Sequence, residues 1–465
     1  MASGAHHVKV AVIGGGISGL AATYRLQRAG YDVQCLESAQ RAGGKITSER
    51  ADGFLVEHGP NGFLSSRTAV LRLARDVGLG DRILAADESA KYRYLVGSKG
   101  LQRLPTSPPN FLLNSVLSVA GRMRILREPF IKGRVGGGDE SIYDFAVRRF
   151  GVEAAERLFD PMVTGIHAGD IRRLSLSACF PAIASMEAQH GSVIKGLIAR
   201  KKAAAAAGPT SKPLLTSFQG GMADLVDGCV GVLGSRSVQL GRAVSRLERV
   251  GESQWRVHAN QGEPLLVDHV VMTTPADVSA RLVAEHSPIA GDRLTGIDYA
   301  PAAVVALGYR AERIANPLPG FGYLAPSSEK RDVLGVLWSS QIFTDRAPNG
   351  HLLFRAIVGG AHRPELVSMN QADLCSMVAA ELSFAFGSQL NEPDFSKVIY
   401  WPQGIPQYRV GHQQRIDEIR DALGELKGLH VAGNAIVGVS VAECIGHAET
   451  IPELLKTGQR LMQGA

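Results

Sequence analysis

The residues best placed to do chemistry lie near the start of the chain. Residues 8–13, a run of Val, Ala and Ile broken only by Lys9, lead straight into Gly14-Gly15-Gly16-Ile17-Ser18-Gly19. The apolar run reads as a strand buried on both faces, as in a parallel sheet. The next residues, from Leu20 to Arg28, have a helical pattern that stops at Gly30. Strand, GxGxxG and helix in that order make a phosphate cradle. Gly14 allows the tight turn, Gly16 lets the backbone approach a diphosphate, and Gly19 lets helix and strand touch. The helix start offers free N–H groups and the positive end of a dipole. Residues 31–37 form a second strand pattern ending in Glu37, placed to hold a ribose diol. The expected ligand is a dinucleotide.

The residues that follow narrow the cofactor. Glu37-Ser38-Ala39-Gln40-Arg41-Ala42-Gly43-Gly44 resembles the ExxxRxGG signature of the flavin amine oxidase superfamily, and the stretch ending in His58-Gly59-Pro60-Asn61 resembles its second FAD-contacting turn. The resemblance implies one FAD per chain, held non-covalently. Gly428-Leu429-His430-Val431-Ala432-Gly433-Asn434, then Gly438-Val439-Ser440-Val441, is similar to the closing strand, turn and helix of that superfamily. A helix starting near residue 439 would turn its positive end toward the flavin. The resemblance therefore implies FAD contacts at Gly14, Gly15, Gly16, Ile17, Ser18, Gly19, Glu37, Ser38, Arg41, Gly44, Lys45, Gly59, Pro60, Asn61, Gly62, Val244, Asn434, Val439, Ser440 and Val441. Val244 falls in an expected strand at 242–247, and residues 270–276 resemble the strand that returns to the FAD domain. Gly62 is a departure, since many relatives have Ser after this Asn.

Motifs through the middle of the chain resemble the oxygen-dependent protoporphyrinogen oxidases. They include Asp160-Pro161-Met162-Val163-Thr164-Gly165-Ile166-His167, Phe218-Gln219-Gly220-Gly221-Met222 and Pro406-Gln407-Tyr408-Arg409-Val410-Gly411-His412. That resemblance implies a tetrapyrrole substrate, dioxygen as electron acceptor and hydrogen peroxide as product. It assigns Arg93 to a substrate propionate, Leu324 and Leu337 to a pyrrole ring, Ile357 to a further ring, and Gly165 to the macrocycle near the flavin. The chemistry agrees: a large apolar ring wants a broad apolar slot, and its carboxylates want a forked donor. No acid–base residue is assigned. Coproporphyrinogen III is the alternative substrate. An amine oxidase is a second alternative, although residues 401–412 carry no cysteine for a covalent flavin.

These residues need three units to position them. The expected fold is α/β, with a discontinuous Rossmann-like FAD-binding domain (1–87, 214–290 and 401–465). An α+β substrate domain (88–104 and 291–400) and a helical domain (105–213) complete it. In residues 111–134 apolar Phe111, Leu112, Leu113, Val119, Met123 and Phe130 interleave with Arg122, Arg124, Arg127, Lys132 and Arg134. This pattern fits a peripheral membrane contact or an ordinary packed helix pair. Ser141 is an expected helix cap, and residues 201–213 read as a mobile loop.

Composition excludes other classes. The chain has 465 residues, 45% hydrophobic and 20% charged, which rules out a wholly disordered protein. The net charge of +6 is spread without a basic stripe, so no nucleic-acid partner is expected. Cys35, Cys179, Cys229, Cys375 and Cys444 lie too far apart for a thiolate metal site, and no metal is expected. The first residues lack a signal-peptide layout. A cytoplasmic location follows, peripheral on the inner membrane if residues 111–134 dock there. A homodimer is left open.

Overall fold

A computed structural model describes residues 8–98, 100–105, 116–134, 138–206, 213–314 and 318–457. A five-stranded parallel sheet forms its frame, in the order Val238–Gln239, Asp32–Leu36, Lys9–Ile13, His269–Met272, Leu429–Val431. These strands come from both ends and the middle of the chain, so the frame is discontinuous. Its alternation explains the unbroken apolar run of the first strand. Val10 and Val12 pack against the helices Ile17–Arg28 and Val441–Thr457, whereas Ala11 and Ile13 face Ala276–Val283 and His412–Gly424. Both faces are covered, as a parallel sheet requires. The expected strand at 242–247 is Val244–Val250, and it belongs to a separate three-stranded antiparallel sheet.

A seven-stranded sheet stands beside this frame. Its order is Phe395–Pro406, Tyr299–Arg310, His351–Gly359, Val333–Trp338, Gly322–Leu324, Arg93–Gly97, Gly100–Arg103. Tyr94, Tyr323, Val336, Trp338, Phe354 and Val358 point to one face and pack on the helix Gln371–Phe386. The last strand runs to Pro406, past the expected division at 400/401, because its pairing with Tyr299–Arg310 continues to that residue.

The helical part has its own core of Ile142, Phe145, Phe150, Val163, Leu174 and Leu176. Ser141 caps the helix Ile142–Phe150, its Oγ accepting from Asp144 N at 3.0 Å. A fully buried ion pair joins Arg149 and Glu128. Glu128 also accepts from Val193 N at 3.0 Å and Ile194 N at 3.2 Å, fixing the start of the helix Val193–Ala206. That helix corrects one expectation. Lys201, Lys202 and Ala203 through Ala206 are helical rather than a loop, because the alanine-rich run has high helix propensity. Residues 207–212, like Phe111, Leu112 and Leu113, lie outside the described residues.

Candidate active site

The glycine turn is built from backbone atoms in close contact. Gly14 N donates to Leu36 O and Gly43 N to Gly15 O, both at 2.8 Å. A Cβ on Gly19 would stand 1.9 Å from Gly14 O, so only glycine lets this helix meet the strand. A Cβ on Gly16 would meet nothing within 4 Å. The space in front of Gly16 is the room a diphosphate needs. Glu37 lies beside it, accepting from Gly15 N at 2.6 Å and from Ala39 N at 2.8 Å, with Ser38 Oγ donating at 3.1 Å. Arg242 N donates to Glu37 O at 2.8 Å, which brings the start of the Val244 strand to the same corner. Ile17 is buried and Ser18 half-buried at the helix start. Thr273, which the sequence did not single out, shares its hydroxyl proton between Gly14 O at 2.9 Å and Ile13 O at 3.0 Å.

The second loop contributes groups that lack protein partners. The Arg41 guanidinium is spent on its own loop, donating to Gly44 O at 2.8 Å and Ala42 O at 3.1 Å. Lys45 is half-buried, and no carboxylate lies within 4.0 Å of it among the described residues. Its Nζ is 5.4 Å from the Tyr299 ring centroid, and burial lowers its pKa against the opposing charge of Asp277. A Cβ on Gly59 would lie 2.2 Å from Lys45 O, so these two turns are pressed together. The Asn61 Nδ2 and Thr47 Oγ1 atoms are buried without a hydrogen-bond partner. The departure at Gly62 has a local cause, since a Cβ there would stand 2.5 Å from Thr216 O. Pro60 follows Gly59 in the same turn.

At the closing turn, the helix starts at Val441, two positions after Val439. Ser440 and Glu443 form a capping box: Glu443 N donates to Ser440 Oγ, and Ser440 N to Glu443 Oε2, both at 3.1 Å. The Glu443 charge sits at this terminus and offsets the positive end expected there. Asn434 O accepts from the Tyr408 hydroxyl. Tyr408 is stacked on His412 with centroids 4.2 Å apart. Burial pushes both His412 and His167 down to about 4, so each ring is neutral at ordinary pH.

Strand register gathers the expected substrate residues. Arg93, Gly322, Leu337 and Arg355 are cross-strand neighbours in one row. Leu95, Leu324, Gly335 and Ile357 form the next row. Residues in register, and those two apart along a strand, share a face. Arg93, Leu324, Leu337 and Ile357 therefore all point to the face opposite the packed core. The three apolar side chains are half-buried and Arg93 is exposed. Three strand spacings separate Arg93 from Arg355, about 14 Å at the usual ~4.8 Å each. Arg93 has no carboxylate partner among the described residues, and its guanidinium stands 5.0 Å from the Phe321 centroid. Gly165 closes this floor from above, since a Cβ there would be 2.7 Å from Leu324 Cδ2. Its helix, Asp160–His167, is anchored at both ends. Asp160 accepts from Ser327 N at 2.7 Å, and Gln407 Nε2 donates to His167 O at 2.8 Å.

Comparison with known proteins now decides the family. The family model for flavin containing amine oxidoreductase matches residues 17–450. The chain belongs to that family. It is 32% identical to the mitochondrial protoporphyrinogen oxidase of Nicotiana tabacum, covering 94% of this chain and 92% of that protein. It is 29% identical to the coproporphyrinogen III oxidase of Bacillus subtilis (strain 168), covering 96% of this chain and 97% of that one. A crystal structure from Exiguobacterium sp. 255-15, provisionally named a protoporphyrinogen oxidase, superposes with a TM-score of 0.83 at 24% identity. It covers 98% of this chain and 100% of that chain, and shows the shared fold.

FAD is the cofactor of this flavin amine oxidoreductase, and the residues present fit it. The open space at Gly16 suits its diphosphate, Glu37 a ribose, and the unpaired Lys45, Asn61 and Thr47 groups its polar edge. Bound FAD supplies a two-electron acceptor; the chain supplies its position. Sequence reading missed Arg355 and Thr273. Arg355 sits in no local motif, and Thr273 lies within the returning stretch 270–276 without being singled out; each acts on a turn far away in sequence.

Proposed function

We propose that this FAD-dependent oxidoreductase oxidises a porphyrinogen, with protoporphyrinogen IX converted to protoporphyrin IX in heme biosynthesis and dioxygen reduced to hydrogen peroxide. The observation that carries the reading is the single sheet face bearing Arg93, Leu324, Leu337 and Ile357 under Gly165. Arg93 offers a free forked cation to a propionate, and the three apolar residues take the rings. The binding work of this face is orientation: it holds one edge of the ring at Arg93 and presents the other toward the cofactor turn. The named relatives support the same chemistry.

Coproporphyrinogen III remains the second reading, supported by the likeness to the Bacillus subtilis enzyme. Initial rates of porphyrin fluorescence in air, with the two porphyrinogens side by side and benzylamine as a third substrate, test the reading. Faster oxidation of protoporphyrinogen IX is the expected result. Turnover of benzylamine alone would overturn it.

The division into FAD-binding, substrate and helical domains is part of the proposal, supported by the separate cores of the parallel frame, the seven-stranded sheet and the helical part. Among the described residues no helix is long and apolar enough to cross a membrane. Val119, Met123, Leu126 and Phe130 are exposed, Phe130 by 86%, with Arg122 and Arg127 between them. These residues support peripheral contact with an anionic membrane surface, on the cytoplasmic side. Homodimer formation is part of the same proposal.

A further inference from the structure

Glu57, His58 and Gly59 offer three consecutive carbonyl oxygens to the seven-stranded sheet, and all three are taken. Arg355 Nε donates to Glu57 O at 2.8 Å, Trp401 Nε1 donates to His58 O at 2.8 Å, and Arg355 Nη2 donates to Gly59 O. The clamped turn continues into Pro60 and Asn61, where Asn61 Nδ2 is buried without a partner. Arg355 is itself 5% exposed and lies in the row with Leu337 and Arg93. Among the described residues it has no carboxylate within 4.0 Å. The nearest acid, Glu57, spends its carboxyl on Met222 N at 2.8 Å and Ser48 Oγ at 2.7 Å. Arg355 Nη1 has no hydrogen-bond partner among the described residues. A buried guanidinium therefore stands where the substrate floor meets the cofactor turn.

A cofactor anchored at Gly16 can take electrons from the Arg93–Ile357 floor only if its redox ring reaches the turn that joins the two. We infer that Arg355 is a positioning residue with two duties at that junction. Its fork fixes the 57–61 turn against the substrate row, and its charge, felt strongly away from water, favours the reduced and negatively charged flavin. This charge stands in for the helix terminus, whose positive end Glu443 offsets.

The inference rests on FAD occupying this turn; the porphyrinogen reading can fail without it. The test therefore needs no porphyrinogen. The FAD dissociation constant of apoprotein and the flavin midpoint potential of holoenzyme would be measured for wild type, Arg355→Met, Arg355→Lys and Trp401→Phe. Arg355→Met is expected to lower the potential. Arg355→Lys keeps the charge but loses the fork, so it should hold the potential near wild type while weakening FAD binding about tenfold. Trp401→Phe removes one clamp bond and should weaken FAD binding a few-fold with the potential unmoved. Equal potentials in the Met and Lys variants would overturn the electrostatic duty. FAD affinities within twofold of wild type in both Arg355→Lys and Trp401→Phe, which are the variants most able to fold, would overturn the clamp.

Discussion

The two halves of the site are made in opposite ways. The cofactor cradle is backbone: Gly14 N donates to Leu36 O, Gly43 meets Gly15 and Gly16 through main-chain atoms, and a side chain at Gly19 would strike a carbonyl at 1.9 Å. The proposed substrate floor is side chains: Arg93, Leu324, Leu337 and Ile357 from four separate strands, covered by a helix at Gly165. A backbone cradle either has room for its ligand or does not. A floor of flexible side chains gives way by degrees. Mutations should therefore act steeply in the first half and gently in the second.

The steepest effect is expected at Gly16. Its φ of −69° suits any residue, so Gly16→Val tests space alone. The variant should fold with an unchanged Tm as apoprotein and bind FAD about a hundredfold more weakly, roughly 2.7 kcal/mol. Flavin absorbance per protein during FAD titration reads this out, and undiminished binding would break the contrast. A smaller effect is expected at Gly165→Ala. The added methyl meets Leu324 Cδ2, the movable end of a side chain. On the proposed substrate, kcat/KM should fall about three- to tenfold, near 1 kcal/mol, with FAD affinity unchanged. A hundredfold fall would show that the floor is as rigid as the cradle.

A last effect, on stability rather than on binding, concerns the seam between the halves. His167 ends the helix over the floor, and His412 stacks under the tyrosine that holds Asn434. Both are depressed to about 4 by burial, from an ordinary 6.5. In the unfolded chain they take up protons first as pH falls, so their stability contribution is complete above about 6.5 and lost on the way down to about 4. The unfolding free energy should fall between pH 7 and pH 5 by roughly 3–4 kcal/mol in total from these two, and the Tm should fall with it. Burial depresses His430 and His447 to about 4 as well, so replacing His167 and His412 with Asn should about halve the overall slope; an unchanged slope would place the acid sensitivity elsewhere.

This contrast also explains what the sequence could reveal. The cradle was legible because its parts are adjacent: strand, glycines, helix and Glu37 follow one another. The floor residues became visible as a set only through strand register, which a motif does not carry; the resemblance named them singly, and pairing shows why they share a face. Arg355 and Thr273 escaped because each holds a turn distant along the chain, Gly59 for one and Gly14 for the other. The stretch beginning at Lys201 was misread because low complexity and helix propensity coincide in alanine. The helix start near 439 was legible too, from the turn glycine at 438 just before the Ser440–Glu443 capping box.

A sheet face that delivers a porphyrinogen to FAD must reduce the flavin when the two are mixed without oxygen. The most direct measurement mixes holoenzyme anaerobically with protoporphyrinogen IX and follows loss of oxidised-flavin absorbance, for wild type and Arg93→Ala. Saturable bleaching is expected in the wild type. In the variant the half-saturating concentration should rise about tenfold or more, roughly 1.4 kcal/mol, with the limiting rate within about threefold. No bleaching in the wild type, or the same concentration dependence in both proteins, would contradict it.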